Sequence, residues 1–239
     1  GPLATPGPGR GRAARRRAPP ASGPPWLLFV PPASLGRPNG ALSLNGDSVF
    51  RDGFEPLLPE CFRVPFNDLV ALERALSSRK IAAFIVEPIQ GKGVNMPTDG
   101  YLQAAAELCR RHGTLFVADE IQTGVGRTGK LWGYEYSGIE PDIMTLGKGL
   151  GGGVPLAALV AKEAVSVFEH GDQGGTFNGN PLMAAVGCAI MQVILAPAFL
   201  PAVVASGAYL MKGLSALSQR HDLGEVRGRG LLVALDLKR

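Results

Sequence analysis

Cysteine and histidine are scarce in this sequence, and neither forms a cluster. The 239 residues include three cysteines and three histidines. Cys61, Cys109 and Cys188 are widely spaced and lie among apolar neighbours, which is neither the spacing of a metal site nor that of a disulfide framework. We therefore expect no metal site. We also expect buried thiols in a reducing compartment, and hence a cytoplasmic protein.

Long apolar runs are also missing. A helix that crosses a bilayer needs about 20 predominantly apolar residues, whereas the run at residues 26–30 is short and has prolines on both sides. We expect no association with a membrane.

Acidic residues are absent from the first 46 positions, which contain six arginines. Residues 1–35 consist mainly of Gly, Pro, Ala and Arg, a composition that buries too little apolar surface to fold. We predict that this segment is disordered. Its arginines leave nucleic-acid binding or a transit peptide as alternatives, although the prolines oppose the amphipathic helix of a transit peptide. The remainder has 18 basic and 20 acidic residues, and we expect no nucleic-acid partner for it.

The rest of the chain has the pattern of an α/β domain. With 46% hydrophobic and 18% charged residues, it is able to bury a sizeable core. Apolar runs at residues 81–86 and 114–118 predict two buried strands, and the segment 98–112 between them predicts a helix. This order is a βαβ unit and implies a parallel sheet. A further helix is predicted at 68–76, and further strands at 143–146 and 154–161.

Reactive side chains follow three of these strands. Glu87 comes after the first, Asp119 ends the second, and Lys148 follows the third. In open α/β sheets the ligand crevice lies at the carboxyl ends of the strands. A lysine in an apolar pocket loses its proton readily and serves as an amine nucleophile. The plainer alternatives are a surface lysine in a glycine-rich loop and an aspartate that caps a helix.

Residues 124–129 match the dinucleotide fingerprint G-x-G-x-x-G and nearly match a P-loop. The context opposes both interpretations. Leu131 stands where a P-loop needs Ser or Thr for magnesium, and residues 132–138 are a poor helix. We expect no nucleotide site here.

Five motifs in order resemble those of the class III pyridoxal-phosphate aminotransferases, most closely the acetylornithine and ornithine aminotransferases. They lie at residues 85–91, 116–124, 126–129, 145–149 and 175–181. The resemblance implies fold type I, a mostly parallel sheet with helices on both faces. It also implies a large cofactor-binding domain at 36–195 and, at 196–239, a connecting helix and the start of a small α+β domain. Members of this family are homodimers with active sites at the interface.

The resemblance also implies roles for single residues. Lys148 would form a Schiff base with pyridoxal 5'-phosphate, Asp119 would pair with the pyridinium nitrogen, and Gln122 would contact the ring oxygen. The remaining implied positions are Val117 or Ile121 on the ring face, Thr176 on the phosphate of the neighbouring subunit's cofactor, and Glu87 in the substrate pocket. The implied reaction moves an amino group from acetylornithine, ornithine or a similar small ω-amino donor to 2-oxoglutarate, as in arginine biosynthesis.

The sequence departs from the family pattern at several places. Ser34 and Leu35 replace an aromatic–His pair before the matched Gly36 and Arg37, and Lys92 replaces an acidic residue. An upstream phosphate-binding loop is missing, and the arginine that clamps the substrate carboxylate is expected beyond residue 239. Other ω-aminotransferases or aminomutases, of the 4-aminobutyrate or glutamate-1-semialdehyde type, remain alternatives. So does a truncated, non-catalytic chain.

Overall fold

A computed structural model describes residues 26–31, 39–172 and 174–238. The expectations for residues 1–25 and for the departures at 34–37 lie outside these residues. The strands are β1 Trp26–Phe29, β2 Cys61–Arg63, β3 Ile81–Val86, β4 Leu115–Asp119, β5 Ile143–Leu146, β6 Ala158–Ala161, β7 Val226–Arg229 and β8 Leu232–Leu235. The α-helices are α1 Asn39–Ser43, α2 Ser48–Arg51, α3 Leu69–Leu76, α4 Tyr101–His112, α5 Pro181–Ile194 and α6 Phe199–His221.

Six strands form one sheet in the order β2-β1-β3-β4-β5-β6. The first five are parallel, and β6 pairs with β5 in the antiparallel direction. This confirms the predicted parallel α/β sheet. Strands β7 and β8 form a separate antiparallel hairpin. The proposed division of the chain near residue 195 stays a prediction.

The predicted disorder of residues 1–35 is wrong for the segment 26–31. Trp26–Phe29 is a strand inside the sheet, paired with β2 on one side and β3 on the other. Leu28, Phe29 and Val30 are at most 2% exposed. A short apolar run is long enough for a strand when neighbours cover both of its faces, so the flanking prolines bound this strand and do not prevent it.

The main core lies between one face of the sheet and helices α3 and α4. Side chains of alternate strand residues, such as Phe84 and Phe116, pack with Leu72 and Leu76 of α3 and with Leu102 of α4. The opposite face is buried as well, for example at Phe29 and Val117. Burial of both faces explains why these strands are continuous apolar runs rather than alternating ones.

Local signals set most helix ends, with small differences from the predicted bounds. The Asp68 side chain accepts from the Ala71 N–H and caps α3. Helix α4 begins at Tyr101, three residues later than expected, and ends at His112, with Gly113 as its C-cap at a φ of 71°. The predicted strand at 154–161 is shortened to Ala158–Ala161. Pro155 carries no N–H for a strand ladder, which keeps that stretch out of the sheet.

Two other expectations need correction. Cys109 is buried, but Cys61 is only half-buried and Cys188 on α5 is exposed. The described residues of α5 are mostly uncovered, since its buried residues are Gly187 and Ile194. Helix α6 has 23 residues and a most apolar window with mean hydropathy 1.3, which is long and apolar enough to cross a membrane by length and composition alone. Its Leu, Val and Ala residues raise the window's hydropathy, while interspersed Ser, Gly and Lys residues interrupt the apolar run. Core helices of soluble proteins pass the same test, and α6 packs against β7 and β8 with Val203 and Gly207 buried.

Within the described ranges no group of three or more His, Cys, Asp or Glu residues is placed to hold a metal ion.

Candidate active site at the carboxyl edge of the sheet

The three predicted reactive residues lie at one edge of the sheet. Strands β3, β4 and β5 are adjacent and parallel, so their carboxyl ends meet there. Glu87 directly follows β3, Asp119 is the last residue of β4, and Lys148 comes two residues after β5. The topology therefore brings together side chains that are 61 positions apart in the sequence.

Asp119 is a buried carboxylate with few donors. It is 4% exposed, and its Oδ1 accepts from the Ile121 N–H at 3.0 Å and from the Thr145 hydroxyl at 3.1 Å. Burial raises the pKa of Asp119, although these hydrogen bonds and the charge of Lys148 oppose the shift. A buried carboxylate gains from a cationic partner, so a protonated ring nitrogen is a chemically suitable neighbour.

Lys148 and Gln122 form the second part of the site. The Lys148 ammonium donates to Gln122 Oε1. Lys148 opens a short 3₁₀ turn and has a φ of 42°. This left-handed conformation costs a non-glycine residue about 1–3 kcal/mol and persists only where the surroundings enforce it. The backbone bond from the Leu150 N–H to the Gly147 carbonyl, at 2.9 Å, is one such constraint.

Lys148 is exposed, which corrects the expectation of a lysine held in an apolar pocket. The neighbouring Gly147 and Gly149 carry no side chains that would cover it. The surface-lysine alternative is therefore right about exposure. It does not account for the hydrogen bond to Gln122 or for the strained backbone.

Glu87 and Gly91 border the site from the β3 side. Glu87 Oε2 accepts from the Gly91 N–H at 2.8 Å, which closes the loop after β3. A Cβ on Gly91 would stand 2.6 Å from Gln122 Oε1, far inside normal contact distance. Glycine at 91 is thus the residue that lets the β3 loop pass over Gln122.

The other predicted cofactor residues differ in placement. Val117 is buried within β4, whereas Ile121 is half-buried and lies against Gly147, where an added Cβ would be 3.5 Å from Ile121 Cγ2. Ile121 is therefore the one of the pair beside the lysine turn. Thr176 is exposed on a turn before α5. Among the described residues no hydrogen bond joins it to Asp119, Gln122 or Lys148.

The G-x-G-x-x-G segment is covered by two other parts of the chain, helix α6 and the β7–β8 hairpin. A Cβ on Gly126 would lie 3.1 Å from a methyl group of Leu200, and one on Gly129 only 2.6 Å from a methyl group of Val204. The Leu231 N–H donates to the Arg127 carbonyl at 3.0 Å. These glycines admit α6 and the β7–β8 hairpin, so the pattern that resembles a phosphate loop is a packing surface.

Glu120 is the residue that the sequence interpretation missed. It is fully buried, and its carboxylate accepts from the Thr123 hydroxyl at 2.6 Å and from the Gly133 and Tyr134 N–H groups at 2.9 and 2.8 Å. Glutamate is almost never buried without partners. Its position directly after a buried strand was the available signal.

Comparison with known proteins settles the family. The family model described as Aminotransferase class-III matches residues 32–239. The chain belongs to this family. It is 45% identical over 204 residues to the acetylornithine aminotransferase of Caldanaerobacter subterraneus subsp. tengcongensis, covering 84% of this chain and 52% of that protein. It is 47% identical over 205 residues to acetylornithine aminotransferase 2 of Bordetella parapertussis, covering 85% and 52%.

The solved structures agree with this assignment. The ornithine aminotransferase from Toxoplasma gondii ME49 superposes with a TM-score of 0.86 at 37% identity, covering 92% of this chain and 53% of that one. A second structure of the Toxoplasma gondii enzyme is described as having partial occupancy of PLP at its active site. These results confirm the fold type I architecture. The chain spans about half the length of the curated relatives it matches.

Proposed function

We propose that this chain carries the cofactor-holding part of a pyridoxal-phosphate aminotransferase. It would move an amino group from acetylornithine, ornithine or a similar ω-amino donor to 2-oxoglutarate, as a step in arginine biosynthesis. The observation that carries the proposal is the grouping of a buried carboxylate, an amide and an amine, Asp119, Gln122 and Lys148, at adjacent strand ends. The 45–47% identity to acetylornithine aminotransferases supports this choice of donor.

The residues present fit the ring end of the cofactor. Pyridoxal phosphate supplies a protonated ring that accepts electrons from the substrate carbon. Asp119 would hold the ring nitrogen in its protonated form, because a buried carboxylate is stabilised by a neighbouring cation. Lys148 would supply the amine that holds the aldehyde and would later move a proton at the substrate carbon. Gln122 would keep the Lys148 side chain directed towards the ring, with Ile121 or Val117 against its face.

The phosphate end and the assembly belong to the same proposal. Thr176 is exposed, which suits a residue that serves the cofactor of a neighbouring subunit in a homodimer. Exposed apolar side chains near it, Phe177 and Leu182, are 82% and 67% exposed and would be covered by such a partner. The described cysteines are free, and a cytoplasmic location is part of the proposal.

The test is an amino-transfer assay with a defined negative control. The chain is incubated with pyridoxal phosphate, 2-oxoglutarate and either acetylornithine, ornithine or 4-aminobutyrate, and glutamate is measured. Acetylornithine is expected to give the fastest glutamate formation, and Lys148→Ala is expected to abolish it. A preference for 4-aminobutyrate would refute the proposed donor class.

A chain that keeps the fold without catalysing transfer is a second candidate. The exposure of Lys148 is the observation that favours it, since a catalytic lysine is usually enclosed. It predicts no glutamate from any donor by a folded chain, even as a dimer.

A further inference from the structure

Glu120 connects two segments of the chain inside the protein. Its carboxylate accepts three hydrogen bonds, one from Thr123 in its own turn and two from the Gly133 and Tyr134 N–H groups. The second segment, residues 132–134, begins a 3₁₀ helix that is 13 positions away. The carboxylate therefore ties the turn after β4 to a separate loop.

The backbone of Glu120 fixes the same turn at both ends. Its N–H donates to the Thr145 carbonyl at 3.0 Å, and its carbonyl accepts from the Gly124 N–H at 2.9 Å. Thr145 is also the residue whose hydroxyl donates to Asp119. Gln122, the partner of Lys148, lies within the turn that these bonds close.

The enclosure around the Glu120 carboxylate is tight and places hydrogen-bond donors against both of its oxygens. A Cβ on Gly133 would stand 2.9 Å from Thr123 Cβ and 3.2 Å from Glu120 Oε2. Burial raises the pKa of Glu120, and the three donors oppose that shift. Both carboxylate oxygens face donors, so an amide in this place would turn an NH₂ group towards an N–H and leave a buried donor unpaired.

We propose that Glu120 is a positioning residue for the active site: its buried carboxylate holds the 119–124 turn so that Asp119 and Gln122 face Lys148. This inference rests on the proposed function. The Glu120 carboxylate is bonded to Thr123, Gly133 and Tyr134 and not to Lys148, so it acts on the site through the turn.

The experiment compares Glu120→Gln with Glu107→Gln. Glu107 is a control because its carboxylate lies on α4, is about half exposed and pairs with Arg110. Thermal melting first fixes a temperature at which all variants are folded. Three quantities are then measured at that temperature. The first two are the dissociation constant for pyridoxal phosphate and the pH dependence of the bound cofactor's absorption. The third is amide hydrogen exchange of residues 121–124 in the cofactor-free chain.

For Glu120→Gln we expect about tenfold weaker cofactor binding, because a buried donor left unpaired lets the 119–124 turn shift from the position in which Asp119 and Gln122 face Lys148. We also expect faster exchange at residues 121–124 and a shifted pH midpoint of the absorption band. Glu107→Gln should change none of these. Wild-type affinity, pH midpoint and exchange in folded Glu120→Gln would overturn the proposal.

The design also covers two failures, a Glu120→Gln variant that does not fold and a wild-type chain that does not bind the cofactor. If Glu120→Gln does not fold, Thr123→Val removes a single donor to the carboxylate, and it should weaken binding and speed exchange in the same turn. Unchanged values in that variant would overturn the proposal. If the wild-type chain fails to bind pyridoxal phosphate, the proposed function fails, while hydrogen exchange still tests whether Glu120 holds the turn.

Discussion

Gly91→Ala is a direct test of how the β3 loop shapes the site. The added methyl group would lie 2.6 Å from Gln122 Oε1, 2.7 Å from its Cδ and 3.0 Å from its Nε2. Because these atoms end a flexible, half-buried side chain, Gln122 can move aside while the backbone stays in place. The φ of Gly91 is not in the left-handed region, so alanine brings no backbone strain there.

The expected effect is therefore small on stability and larger on binding. Displacement of Gln122 removes the contact that we propose it makes with the cofactor's ring oxygen, and such a hydrogen bond contributes about 0.5–1.5 kcal/mol. We expect pyridoxal phosphate to bind about fivefold more weakly, since 1.4 kcal/mol corresponds to tenfold. The denaturation midpoint should change little.

The assay is cofactor titration followed by absorbance, with urea unfolding alongside. Gly213→Ala is the matched control, because Gly213 lies in α6 and a Cβ there meets nothing within 4 Å. It should leave affinity unchanged and slightly stabilise the helix. Equal affinity of Gly91→Ala and the wild type would refute the argument that Gly91 sets the position of Gln122.

Three other predictions follow from the described residues. Burial raises the pKa of Asp119 above its ordinary value of 3.8, so the folded state binds this proton more tightly than the unfolded state does. The stability of the wild-type chain therefore falls as pH rises from 3.8 through the folded-state pKa. Asn cannot titrate, so the melting temperature of Asp119→Asn relative to wild type should increase from pH 4 to pH 7. Gly129→Ala should lower the free energy of unfolding by about 1–3 kcal/mol more than Gly53→Ala does. Both glycines have a positive φ, but of the two only Gly129 has a neighbour within 4 Å. Equal losses in urea unfolding would show that backbone strain alone accounts for the effect. Burial raises the pKa of the Cys109 thiol to about 12, so a thiol reagent should modify exposed Cys188 first and Cys109 only on unfolding, as mass spectrometry would show.

The sequence was sufficient to predict the parallel sheet and the residues at its carboxyl edge. An apolar run such as 81–86 predicts a buried strand from local sequence alone. Because the carboxyl ends of parallel strands lie at the same edge of the sheet, Asp119 and Lys148 were expected to be near each other. The strand at Trp26–Phe29 escaped prediction because only its pairing with two distant strands stabilises it. The sequence context already opposed a nucleotide site at residues 124–129, but only the long-range packing of α6 shows why Gly126 and Gly129 are glycines.

Two features of the site depend on contacts that no local pattern reveals. Glu120 has its partners at residues 123, 133 and 134, and the loop that carries the last two has no regular periodicity. The exposure of Lys148 depends on what covers the sheet edge, which strand patterns do not specify. The residue types were enough to predict the chemistry of the site, whereas the burial of Glu120 and the exposure of Lys148 could be seen only in the structure.

Reductive labelling tests the central claim most directly. The folded chain is mixed with pyridoxal phosphate, reduced with borohydride and digested, and the modified peptides are quantified. The sequence offers seven lysines, and Lys130, in the neighbouring glycine-rich segment, is an internal reference because it donates to the Glu135 carbonyl and lies over Tyr136. The account predicts that the label accumulates on Lys148 at low cofactor concentration and that Asp119→Asn reduces it. Uniform labelling of exposed lysines, or a folded chain with no label on Lys148, would contradict it.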